Sequence, residues 1–211
     1  MFGFNQDPLG FVIRILAIIF GLTIHEFAHG FVAYLRGDGT AKAMGRVTLN
    51  PLKHLDVLGT IMLLFGPIGW AKPVPINPAF FKKPRQDLFL VSIAGIAANL
   101  TAALILALIA RFVGWENLGA GGQLIVVNFM VINLALSVFN LIPLPPLDGS
   151  KVLASILPAK QAIAVEMFNP LIGTIILIAI IMINPLSRIV FGIPLNFMIN
   201  IFLGVSNYGG M

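Results

Sequence analysis

Cysteine is absent from the 211 residues, which excludes disulfides and thiolate metal ligands and leaves His, Asp and Glu as the available metal donors. Charge is almost as scarce. Asp, Glu, Lys and Arg make up 10% of the sequence against 58% hydrophobic residues, at a mean hydropathy of +0.99. A water-soluble domain of this length cannot hide that much apolar surface, so the surrounding solvent is expected to be lipid. Internal repeats and low-complexity tracts are missing too, which points to a single membrane domain. The segment Met1 to Pro8 lacks the basic region and cleavage site of a signal peptide, so the first apolar stretch is expected to be retained. What charge there is comes to +5, from 13 Lys+Arg against 8 Asp+Glu. In a membrane chain that excess reads as a topology signal, with no nucleic-acid partner implied.

Crossing a ~30 Å hydrocarbon core takes about 20 helical residues. Candidate stretches run Leu9 to Leu35, Leu88 to Phe112, Leu124 to Ile142, Val165 to Ile183 and Ile189 to Val205, the last carrying Pro194 and so expected to be kinked. The apolar run Val57 to Trp70 is about 14 residues, the length of a re-entrant segment. Charge placement agrees: if that run does not cross, Arg36, Lys42, Arg46, Lys53, Lys72, Lys82, Lys83, Arg85, Lys151 and Lys160 share one face, ten of the 13 basic residues. The positive-inside rule labels that face cytoplasmic. Beside the run, Gly45 to Asn50 alternates weakly like a strand, and Trp70 to Ile76 is held extended by its prolines, as an edge strand would be. The expected fold is therefore an α-helical polytopic membrane protein of one domain, residues 1–211, with about five transmembrane helices and a re-entrant or β-hairpin-like segment near the site. Its catalytic core covers about 9–153 and its C-terminal helices about 165–205.

The most informative residues lie in the first apolar stretch, His25-Glu26-Phe27-Ala28-His29. Two histidines four apart on a helix share a face, the spacing that gives a tetrahedral zinc ion its first two protein ligands. The glutamate between them lies beside the metal, placed to take a proton from water. Three ionisable groups inside a span cost several kcal/mol unless paired, so function is the default reading. A third ligand must come from the same depth. Asp148 qualifies, because it follows Pro143-Leu144-Pro145-Pro146-Leu147 at the end of the third span, and non-helical backbone at that depth is tolerated only against protein or a watery cavity. A plainer reading of Asp148 is as the N-cap of the helix it begins.

His25-Glu26-Phe27-Ala28-His29 together with Asn140-Leu141-Ile142-Pro143-Leu144-Pro145-Pro146-Leu147-Asp148-Gly149 resembles the site-2 protease family of intramembrane zinc metalloproteases. Leu49-Asn50-Pro51, Gly69-Trp70-Ala71-Lys72-Pro73-Val74-Pro75 and Ala94-Gly95-Ile96-Ala97-Ala98-Asn99 are similar to further stretches of that family, with Ile96 where proline is common. The resemblance covers about Ile18 to Leu153. It implies one zinc ion per chain held by His25, His29 and Asp148, with Glu26 as general base. It also implies that Asn140 hydrogen-bonds the substrate backbone or the developing oxyanion. Substrates would be transmembrane helices of other proteins, cut in regulated intramembrane proteolysis by a multi-pass protein of the cell membrane. Because an unwound substrate in lipid needs partners for its backbone, the strand-like pieces near Arg46 and Lys72 suit such an enzyme.

Competing functions are a divalent-metal transporter and a catalytically silent protein that binds membrane helices. Paired broken helices, which transporters commonly need, are not evident. Among other polar residues, His54 reads as an interfacial or solvated histidine, and Asn99, Asn128 and Asn133 as hydrogen-bonding glue between helices. Gly95, beside Ala94 and Ala98, reads as close helix packing.

Overall fold

The structure, a computed structural model, describes residues 7–65 and 69–203. The readings for Met1 to Gln6 and for the end of the fifth span near Val205 lie outside the described residues. Helix α1, Pro8–Leu35, begins where its sequence signals say it should. Asp7 accepts the Gly10 N–H at 2.9 Å and Pro8 fills the first turn, where no N–H is needed. Helix α2 is the short turn Thr40–Ala43, and α3 is Val57–Phe65. Two long helices follow, α4 at Pro84–Val113 and α5 at Gly119–Leu141.

Helices α1, α4 and α5 pack on one another as a three-helix core. Small residues allow the approach: Ala17 and Gly21 of α1 and Gly95, Ala103 and Ala107 of α4 are all buried. In lipid, where no hydrophobic effect drives helices together, such close van der Waals contact is the main attraction. Deeper along the bundle, Ala103, Ala107, Met130 and Leu134 form an apolar cluster. Leu195, Met198 and Ile199 of the last helix, α10 (Ile193–Leu203), pack over it. Between α5 and α10 lie α6 (Asp148–Ile156), α7 (Ala159–Glu166), α8 (Pro170–Met182) and α9 (Asn184–Ser187).

Among the described residues, four helical stretches are long and apolar enough to cross a membrane: Pro8–Leu35, Pro84–Val113, Trp115–Leu141 and Asn184–Phe202. The first three match the expected spans. The fourth expected span, Val165 to Ile183, takes in the end of α7 and all of α8, a pair bent by 77° that makes a fifth span if the two are counted as one broken crossing. Asn169 and Pro170 cause the break, since Asn169 caps the Leu171 N–H at 2.9 Å and starts a new helix there. In the last span a π-turned stretch, Arg188–Gly192, precedes Pro194. A π-turn beside proline is a usual way to absorb its missing hydrogen bond.

The Val57 to Trp70 run leaves and returns at the same place. Lys72 N–H donates to His54 O at 2.8 Å, and Leu55 bridges Ala71 in antiparallel register. Both described ends of the run therefore meet, as a re-entrant reading expects; it contains a nine-residue helix, α3, and its residues 66–68 lie outside the described residues. Among the described residues no strand ladder forms: Gly45 to Asn50 is a series of bends, and the Leu55–Ala71 bridge stands alone. Proline explains the second piece, because Pro73 and Pro75 have no N–H to give a ladder. His54 is fully buried, contrary to the solvated reading, with Nε2 bonded to Thr48 O at 2.7 Å.

Several basic residues tie the helix ends at one face of the bundle. Arg36, just past α1, pairs with Asp87 at the start of α4 at 2.5 Å. Arg85 donates to the Leu157 carbonyl at the end of α6. Arg46 is buried and donates to Lys72 O at 2.6 Å. Asp38 completes the platform, accepting from Thr40 N–H at 2.9 Å, the Thr40 hydroxyl at 2.5 Å and Asn77 N–H at 2.6 Å. Burial alone would raise the Asp38 pKa, but the Thr40 hydroxyl and the two N–H donors outweigh it and hold the carboxyl below its usual range. A depressed folded-state pKa contributes stability that is complete above the unfolded value and lost as pH falls through the folded one. The Asn77 amide should therefore exchange hydrogen faster in Asp38→Asn than in the native protein at neutral pH. The difference should close as acid protonates the native Asp38, as hydrogen-exchange mass spectrometry at pH steps below about 4 would read.

Candidate metal centre

Helix geometry brings His25 and His29 together, one turn apart on the buried face of α1, both about 5% exposed or less. Their Nε2 atoms are 3.0 Å apart, and the rings meet edge to face with centroids 4.6 Å apart. Asp148 arrives from the far side of the bundle. After α5 ends at Leu141, the proline-rich turn feeds α6, whose first residue is Asp148. Gly149 lets the start of α6 press against the end of α5, for a Cβ there would sit 2.3 Å from Leu141 O and 2.4 Å from Ile142 O. Asp148 Oδ2 then lies 3.0 Å from His25 Nε2 and 2.9 Å from His29 Nε2. Lys151, one turn on, holds the other oxygen, Oδ1, at 3.1 Å. The N-cap reading of Asp148 does not hold, because Leu147 occupies the cap position and α6 has no side-chain cap bond.

The proton positions show what the three groups can hold. His29 Nδ1 donates to Val91 O at 2.6 Å, and His25 Nδ1 lies 2.7 Å from Asn99 Oδ1. With both protons on Nδ1, both Nε2 atoms offer lone pairs toward Asp148 Oδ2. Three acceptors within about 3 Å of one another repel unless positive charge sits among them. Two neutral imidazoles and a carboxylate are a donor set typical of zinc, and each histidine has the second-shell acceptor that metal-binding histidines usually have. Among the described residues, His25, His29 and Asp148 are the group with ligand atoms all within 4.8 Å of one another.

Gly95 of α4 backs this cluster. A Cβ at that position would lie 2.6 Å from His29 Nε2 and 2.7 Å from His25 Nε2, so its bare α-carbon faces the lone pairs themselves. The packing reading of Gly95 is right in kind, but its neighbour is the imidazole pair. Glu26 is half-buried and stands outside the three-atom group, its Oε2 accepting Val74 N–H at 2.8 Å. The extended segment after the re-entrant run is thereby fastened over the site. Asn140 is not brought to the cluster by any described hydrogen bond; its amide donates to Leu136 O of its own helix at 3.0 Å. Asn128 likewise bonds within α5, to Leu124 O, whereas Asn99 and Asn133 do join helices.

Val91, Gly95 and Lys151 carry no signal in isolation. Their positions could have been found by placing α4 on a helical wheel, where Val91, Gly95 and Asn99 fall one turn apart on a single face. Filling the Gly95 face should displace the imidazoles. Gly95→Ala is expected to weaken zinc binding by about tenfold or more, the scale of overpacking a tight site, as zinc retention during chelator dialysis would measure.

Comparison with known proteins agrees with this geometry. The family model for Peptidase family M50 matches residues 13–184. A Bacillus subtilis protein named "Putative zinc metalloprotease YwhC" is 47% identical over 150 residues, covering 68% of this chain and 68% of its own. Rip2 of Mycolicibacterium smegmatis, described in the same words, is 31% identical over 144 residues, 66% of this chain and 55% of its own. The zinc metalloprotease MJ0392 of Methanocaldococcus jannaschii is 23% identical over 155 residues, 74% of this chain and 37% of its own. The chain thus spans about two thirds of YwhC and less of the other two. No solved structure matches significantly. A buried pair of histidines one turn apart, a carboxylate carried in from a proline-broken helix junction, and a family match over most of the length lead to one conclusion: the chain belongs to peptidase family M50, the zinc metalloproteases of the site-2 type.

Proposed function

We propose that this chain is a zinc-dependent endopeptidase of the cell membrane that cuts transmembrane segments of other proteins, as in regulated intramembrane proteolysis. The observation that carries the reading is the convergence of His25 Nε2, His29 Nε2 and Asp148 Oδ2, with Glu26 next in sequence to the first of them. His25, His29 and Asp148 are the metal ligands in this reading. Zinc, when bound there, supplies a Lewis acid that acidifies water and polarises the scissile carbonyl. Glu26 is the general base: it takes a proton from the attacking water and passes it to the departing amide nitrogen. Val74 N–H anchors Oε2 of that carboxylate, which makes Oε1 the oxygen that moves the proton.

A transmembrane substrate must unwind to expose a peptide bond, and in lipid its freed N–H and C=O groups then need partners. The extended stretch 72–77 lies beside Glu26 and suits that task mainly as an acceptor. Its Lys72, Val74 and Asn77 N–H groups are engaged and Pro73 and Pro75 have none, so apart from the Ile76 N–H it offers carbonyls to a substrate's N–H groups. Asn140 is proposed to hydrogen-bond the substrate backbone or the oxyanion, with its amide turned from Leu136 O. The site is placed toward the cytoplasm, because the basic residues around Arg36, Lys72 and Arg85 cluster at the helix ends that border it.

Substituting Glu26 by Gln should leave zinc bound and reduce cleavage of a model transmembrane substrate by at least ~10²-fold; cleavage at the native rate would remove the assigned base. Asp148→Ala, by contrast, should lose the metal itself, as elemental analysis of the purified protein would show. Asn140→Leu should retain zinc and lower kcat by about 10²-fold, and an unchanged kcat in a single-turnover assay would end its proposed role.

A further inference from the structure

Asn99 differs from the other partner of the imidazole pair in a way that raises a question. Val91 O, which receives the His29 proton, is a backbone carbonyl and can only accept. An asparagine amide presents an acceptor on one side and a donor on the other, so it can meet a histidine either way round. Turned over, Asn99 would donate an N–H hydrogen bond to His25 Nδ1, which requires the tautomer with its proton on Nε2 and removes the lone pair that faces the cluster.

Two backbone carbonyls decide the matter. Asn99 Nδ2 donates to Gly21 O of α1 at 3.1 Å and to Asn133 Oδ1 of α5 at 2.9 Å. Asn133 Nδ2 in turn donates to Phe129 O at 2.7 Å. Neither carbonyl can donate, so flipping either amide would set oxygen against oxygen. Both asparagines are completely buried, where such a mismatch is costly. We infer that Asn99 and Asn133 are positioning residues for the metal site, a two-amide relay across α1, α4 and α5 that holds the His25 proton on Nδ1 and keeps Nε2 free for the ion. The role goes beyond helix adhesion, since Asn128 on the same helix bonds only to its own backbone. It rests on the reading of His25, His29 and Asp148 as metal ligands.

The test is zinc affinity by chelator competition, joined to the visible spectrum of the cobalt-substituted protein, in the full-length chain. Loss of a second-shell partner typically costs 10- to 100-fold in metal affinity. Asn99→Leu should show a loss of about that size and an altered cobalt spectrum. Asn133→Leu, which frees Asn99 to turn, should show a smaller loss, and adding it to Asn99→Leu should change nothing further. Asn128→Leu should bind zinc as the native protein does. Should Asn99→Leu fail to fold, Asn133→Leu decides alone: a zinc affinity below the native value with an altered cobalt spectrum supports the relay, and native affinity with a native spectrum overturns it. Native-like affinity and spectrum in Asn99→Leu, or effects of Asn99→Leu and Asn133→Leu that simply add, would also overturn it. A native protein that binds no zinc would instead bring down the ligand assignment beneath it.

Discussion

Mutual repulsion among three lone pairs governs this molecule. His25 Nε2, His29 Nε2 and Asp148 Oδ2 face one another at about 3 Å and are nearly fully buried, and only positive charge makes that arrangement favourable. Three separate elements must agree to build it. Helical periodicity in α1 supplies two rings on one face, and the break between α5 and α6 turns a carboxylate inward. Helix α4 contributes no ligand, yet it provides the Val91 and Asn99 acceptors and, at Gly95, the room. The burial of Asn99 in α4, costly in lipid, is understandable through that duty.

A second layer of interactions ties the site to the face where the chain enters and leaves the bundle. Asp38, His54 and Arg46 each bind backbone of the segment that follows the re-entrant run, at Asn77, Lys72 N–H and Lys72 O respectively. The segment so held reaches Glu26 through Val74 N–H. Loop and base are thus one mechanical unit: anything that draws the strap away also releases the carboxylate. That coupling gives a physical reason for concentrating buried polar groups in a loop whose helix, α3, has only nine residues.

Spacing made the core of the site legible in the sequence. His25 and His29 at i and i+4 fix a shared face whatever surrounds them, and Asp148 was marked by the prolines that forbid helix before it. Long apolar runs gave α1, α4 and α5 for the same reason, because length and hydropathy alone decide a span. Partners were not legible. Asn99 reads as adhesion between helices, since periodicity gives the face of a side chain and says nothing of what stands opposite. His54 reads as solvated because its burial depends on a loop closing over it. The bend between α7 and α8 was hidden for another reason: the long apolar run after Pro170 draws the eye across Asn169, whose role as a cap shows only when hydropathy is set aside.

The same buried ionisable groups would suit an ion pathway, and the rigidity of their setting argues for the peptidase. An ion in transit needs ligands that let go, usually with water able to take their place. Here every ligand is held twice, facing the cluster on one side and a fixed partner on the other: His25 with Asn99, His29 with Val91, Asp148 with Lys151. A transporter would also gain by recruiting the nearby Glu26 to the ion. Glu26 is instead held outside the three-residue group by a backbone N–H from another part of the chain, which suits the general-base role proposed for it. A pre-organised site that holds one ion tightly and leaves one carboxylate uncommitted is costly for transport and is what hydrolysis needs.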